Sequence, residues 1–131
     1  AMLLVLCRQK GTGIMFISHD ISVIRYVSDR VAVMYLGRIV ETGRTDDIIL
    51  HPRHPYTEAL LSNCSTIDPD DQTEVIRIEG EPPSPVGTGP GCFFAERCPK
   101  ASAHCWRAYP SVTKAGESHE VSCFIYQREQ R

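Results

Sequence analysis

The stretch IMFISHDISVIRYVSDRVAVMYLGRIVETG, Ile14 to Gly43, decides the fold class. Ile14 to Ile17 is a short continuous apolar run, the pattern of a strand buried on both faces. Asp20 to Ser28 places Ile21, Ile24 and Val27 on one side, as a helix does. Arg30 to Leu36 is a second strand pattern. Gly37-Arg38 suits a tight II′-type turn into a third strand, Ile39 to Glu41. Strand, helix, strand and hairpin in succession predict an α/β sheet.

Before this stretch, Met2 to Lys10 is helix-like and Gly11 and Gly13 end it. Its apolar-then-basic order is the reverse of a signal peptide, so it reads as the end of a cut helix. After it, Thr45 is a plausible N-cap for a helix over Asp46 to Leu50. Pro55 opens another, Tyr56 to Asn63. The texture then changes. Asp68 to Glu81 holds six acidic residues against one Arg, so a solvated connection with one short strand, Val75 to Ile78, is expected. Pro82-Pro83-Ser84-Pro85 forces extended backbone. His119 to Tyr126 is the last strand pattern. Two units are expected, with a boundary near residues 64 to 80, and the second has few apolar residues for a core of its own.

The bulk numbers narrow the function. The chain has 131 residues, 42% hydrophobic and 23% charged, with net charge −2. That balance leaves no broad basic face for nucleic acid. No apolar run approaches the roughly 18 residues that cross a bilayer. With no export signal, a reducing cytosol is the expected compartment. There, six cysteines are ligands or free thiols rather than disulfides.

Two features carry chemistry. His19 stands where the first strand ends and a helix begins, the end of an α/β sheet at which ligands bind. The helix N-terminus offers N–H groups to an anion. On the residues alone, a histidine capping the helix or packing at the sheet rim is the commoner use. The second feature is Cys92, Cys98, Cys105 and Cys123, spaced C-x5-C-x6-C-x17-C. Four thiolates suit an iron–sulfur cluster, and Cys98-Pro99 echoes the Cys-Pro of some cluster motifs. They also suit zinc, although typical zinc spacing is tighter, and His104 or His119 can replace a cysteine there. Unligated thiols or disulfides are the third reading. Phe93, Phe94, Trp106 and Tyr109 are candidates for an apolar shell around such a centre. Cys7 is expected buried on its helix, and Cys64 reads as a stray thiol.

The Ile14–Gly43 stretch resembles the last part of an ABC-transporter nucleotide-binding domain. By that resemblance His19 is the switch-loop histidine that contacts the ATP γ-phosphate, and DRVAVMYLGRIVE is the C-terminal hairpin. HPRHPYTEALLSN (His51 to Asn63), EGEPPSP (Glu79 to Pro85) and GCFFAERCPKASAHC resemble the C-terminal extension of dipeptide and oligopeptide importers. The resemblance implies residues 1–50 as the end of a P-loop domain and 51–131 as a small irregular Cys-rich extension. In some members four cysteines there hold a 4Fe–4S cluster, which matches Cys92, Cys98, Cys105 and Cys123. The partners implied are membrane-spanning permease subunits and a second ATP-binding subunit, at the cytoplasmic face of the membrane.

The glycine-rich phosphate loop G-x-x-x-x-G-K-[ST], the acidic strand end for magnesium and the LSGGQ-like signature are all missing from the chain. The expectation is therefore a C-terminal piece of a longer polypeptide, inactive alone. ATP and magnesium would be held mostly by residues outside it. The rival expectation, from a different class, is a stand-alone metal-bound interaction module.

Overall fold

A computed structural model of the chain describes residues 2–18, 20–63, 86–87 and 89–129. The elements are α1 (Met2–Lys10), α2 (Ile21–Val27), β1 (Arg30–Tyr35), β2 (Arg38–Arg44), α3 (Thr45–Leu50) and α4 (Pro55–Ser62). A 3-10 turn (Ala95–Arg97) follows, then α5 (Ala103–Arg107), β3 (Thr113–Lys114), β4 (Glu120–Val121) and α6 (Phe124–Glu129). The class is a mixture of helix and antiparallel sheet, with the four strands in the order β1-β2-β4-β3.

The hairpin forms as expected but turns one residue earlier. Tyr35 pairs with Arg38, so Leu36 and Gly37 are the two loop residues. Both have positive φ, 47° and 81°. That is the I′ geometry, whose twist matches the strands it joins, and not the II′ turn expected at Gly37-Arg38. The ladder shifts register between Val33 and Met34, which face Glu41 and Ile39, leaving Val40 as an extra residue on β2. Such a bulge breaks the alternation of faces. Val40 and Glu41 are consequently both buried, at 3% and 1% exposure.

Three further expectations are corrected. Ile14 to Ile17 forms no strand, and Met15 and Ile17 are 90% and 89% exposed. A continuous apolar run becomes a strand only between neighbours, and none pairs with it among the described residues. Thr45 is inside α3, where its hydroxyl donates to the Ser28 carbonyl at 2.6 Å instead of capping the helix. The strand expected over His119 to Tyr126 is only Glu120–Val121, after which the chain turns into α6. The Val75–Ile78 strand, the boundary at residues 64 to 80 and Cys64 lie outside the described residues.

The main core joins the hairpin to the segment carrying the cysteines. Tyr35, Val40 and Phe94 form its buried centre. The Tyr35 ring lies 4.8 Å from that of Tyr56 and 5.2 Å from that of Phe94, both edge to face. Burying one such ring contributes about 1.5–3 kcal/mol. The later segment, poor in apolar residues, thus places Phe94 in the hairpin's core. A second clamp is Arg38, whose guanidinium sits 5.1 Å from the Phe93 ring centre and 4.2 Å from that of Tyr109.

Candidate functional site: a cavity lined by four cysteines

Cys92, Cys98, Cys105 and Cys123 line one small cavity, of about 20 Å³, together with His54, Phe94, Lys100 and Phe124. Each cysteine arrives by a different local device. Cys92 follows Gly91 and donates its N–H to the Cys105 carbonyl at 2.7 Å. A side chain at Gly91 would place its Cβ 2.5 Å from that carbonyl, so only glycine lets the two backbones approach. Cys98 ends the 3-10 turn. Cys105 is in α5, and Cys123 follows β4, whose pairing with β2 carries it in from the hairpin side.

The sulfurs are met by N–H groups. Cys92 faces the backbone N–H of Phe94 and Ala95, Cys98 that of Lys100, and Cys123 that of Ile125. The Ser102 N–H donates to Cys105 Sγ at 3.4 Å, with the Ser102 hydroxyl 3.6 Å away. Such donors favour sulfur as thiolate. Burial works against them and is the larger effect. It pushes the Cys92 and Cys98 thiols up, and Cys123 to about 11, with the neighbouring cysteines adding to each rise. Without an occupant the cavity holds these three cysteines as neutral thiols. A soft cation would displace their protons and use the N–H donors already in place. The donor set therefore fits a thiolate-bound metal. Among the described residues, however, no group of three or more His, Cys, Asp or Glu side chains is already at metal-holding geometry.

The histidines expected as substitute ligands are placed elsewhere. His119 is paired through Nε2 with Glu41, and the His104 ring lies against Phe124 at 6.2 Å. Of the aromatic residues expected as a shell, only Phe94 reaches the cavity, and Trp106 is 53% exposed. Cys7 is half-buried on α1.

His54 was visible in the sequence only as a residue before a helix. In the structure its Nδ1 accepts the Tyr56 N–H at 3.1 Å, capping α4, while the whole residue is 1% exposed. Burial lowers its pKa to about 4. Thr57 has a buried hydroxyl without a partner among the described residues.

At the other candidate site, His19 lies outside the described residues. Its neighbour Asp20 caps α2, accepting the Ser22 N–H at 3.0 Å. One of the N–H groups expected to face an anion is therefore taken by the chain's own carboxylate. No helix among the described residues is long and apolar enough to cross a membrane.

Residues 40–105, half of the chain, match the family model described as the C-terminal region of oligopeptide/dipeptide transporters. The chain is 43% identical over 124 residues to the oligopeptide transport ATP-binding protein AppD of Bacillus subtilis, covering 95% of this chain and 38% of that protein. It is 42% identical over 129 residues to the dipeptide transport ATP-binding protein DppF of Escherichia coli, covering 98% and 38%. It is 44% identical over 118 residues to the E. coli oligopeptide transport ATP-binding protein OppF, covering 88% and 35%. The chain thus spans little more than a third of the length of these relatives. From the hairpin's second strand to the third cysteine it belongs to the oligopeptide/dipeptide transporter C-terminal-region family.

Proposed function

We propose that the chain is the C-terminal part of an ATP-binding subunit that couples ATP hydrolysis to import of dipeptides or oligopeptides. Residues 1–50 close its nucleotide-binding domain and residues 51–131 form the extension. The observation that carries this reading is sequence identity over nearly the whole chain to ATP-binding proteins of peptide transport. In it His19 meets the γ-phosphate of ATP, and Asp20 orders the start of the next helix. Permease subunits and a second ATP-binding subunit are the partners, at the cytoplasmic face of the membrane. Positioning and electrostatics supply nearly all of phosphoryl-transfer catalysis. The 131 residues alone, without a phosphate loop, are therefore inactive. A chimera replacing the matching C-terminal part of E. coli DppF with this chain tests the reading. It should restore dipeptide uptake, and H19A in it should abolish uptake. A stably expressed chimera whose uptake is indifferent to H19A overturns the role given to His19.

The four cysteines hold a thiolate-bound centre whose role is structural, cross-linking the 3-10 turn, α5 and the end of β4. The four cysteines lining one cavity, each sulfur facing an N–H donor, support it. The family resemblance favours a 4Fe–4S cluster. The cavity's size, near that of one water site, favours zinc as the second reading. Anaerobic purification followed by metal and sulfide analysis separates them. Brown protein with iron and sulfide supports the cluster, and colourless protein with stoichiometric zinc supports the alternative. Protein holding neither metal refutes both.

A further inference from the structure

Glu41 is buried by the β2 bulge, with no exposed side-chain surface. Its carboxylate oxygens accept the Arg53 N–H at 3.1 and 2.9 Å and the His54 N–H at 2.8 Å. The same carboxylate pairs with His119 Nε2. One side chain of the hairpin thereby binds two later segments, the loop before α4 and the turn before β4. Both lead to the cysteine cavity. His54 lines it, and Cys123 follows His119 by four residues through β4.

β4 itself is a weak tether. It is two residues long, and its last bond before Cys123 is the Ser122 N–H to the Val40 carbonyl at 2.8 Å. So short a strand does not hold its place by ladder bonds alone. Breaking a buried pair leaves an uncompensated polar group, so the Glu41–His119 contact opens as a unit or not at all. We infer that Glu41 is a positioning residue that couples the hairpin to the cysteine cavity: it holds Cys123 and His54 against Cys92, Cys98 and Cys105. Coupling is reciprocal, so a metal drawn into the cavity tightens the hairpin. The first half of this inference concerns thiols alone. Only the second half rests on the metal-site reading.

Alkylation by iodoacetamide, followed cysteine by cysteine in the 131-residue chain, tests it. H119A should raise the rate at Cys123 by about tenfold relative to Cys7, as a local opening does. H119Q, whose amide N–H can still donate to Glu41, should return most of the protection. Equal rises at Cys123 and Cys7, or H119Q behaving as H119A, would overturn the joint. A second measurement needs no variant. In the wild-type chain the amides of Arg53, His54 and Ser122 should exchange with solvent hydrogen through one shared opening. Rates apart by more than about tenfold mean separate openings and sink the idea. Cd²⁺ should slow exchange in β1 and β2 of the wild type but not of H119A. Cd²⁺ bound with no slowing refutes the reciprocal half. Wild type that binds no Cd²⁺ refutes the metal reading, and the joint then stands or falls on alkylation and exchange.

Discussion

Acid should destabilise this chain through His54, and the size of the effect follows from where that ring is placed. It is 1% exposed, 5.8 Å from the Phe94 ring, and its Nδ1 is occupied as an acceptor by the Tyr56 N–H. The neutral imidazole carrying its proton on Nε2 satisfies that arrangement. A second proton would replace the cap's acceptor by a donor and put a charge among apolar groups. Burial accordingly lowers the pKa from 6.5 to about 4. The folded value lies below the unfolded one, so between them the unfolded chain binds more protons. The contribution is intact above pH 6.5, declines as pH falls toward 4, and is constant below that. At 1.36 kcal/mol per unit the full loss is about 3 kcal/mol, with most of it gone by about pH 4.5. That is a large share of the roughly 5–15 kcal/mol available to a domain. Urea titrations at several pH values measure it. Other groups also titrate in this range, so the informative comparison is with H54N. Asparagine keeps a side-chain cap acceptor but cannot take up the proton. H54N should be weaker at neutral pH yet lose about 3 kcal/mol less than the wild type on acidification. Parallel losses in the two proteins would falsify the assignment.

Three more outcomes are expected. G91A should cost about 1–3 kcal/mol in urea unfolding and loosen Cys92, because its Cβ would sit 2.5 Å from the Cys105 carbonyl; an unchanged midpoint argues against the close approach. L36N should stabilise the hairpin by up to about 1 kcal/mol, since Leu36 holds φ 47° and asparagine tolerates that region better; a lowered melting temperature contradicts it. Zn²⁺ affinity of the metal-free chain should rise with pH from the neutral range toward about 11, because thiols raised by burial, Cys123 to about 11, must lose protons to bind. A pH-independent Kd would refute that.

The start of α4 was legible because its causes are local, whereas Thr45, expected to cap α3, lies inside it. Pro55 at the first position and His54 before it lie within one turn of the groups they serve. The hairpin was legible too, although its turn type was not. Gly37 announces a positive φ, but nothing in the composition says that Leu36 adopts one as well. Ile14 to Ile17 read as a buried strand, yet apolar character cannot supply the neighbours a strand requires. His119 read as a spare metal ligand because its spacing to the cysteines is visible and its partner, 78 residues away, is not.

The sequence by itself determined the hairpin, the Pro55 helix, the family resemblance and the chemical identity of the four thiols. These follow from short-range backbone preferences and side-chain chemistry. Only the tertiary structure decided that the four cysteines share one cavity and that Phe94 completes the hairpin's core. It alone showed that a single extra residue, Val40, turns Glu41 inward to meet His119. One residue of register moves a side chain from one face of a sheet to the other. That choice is made by long-range packing, which no local stretch of sequence records.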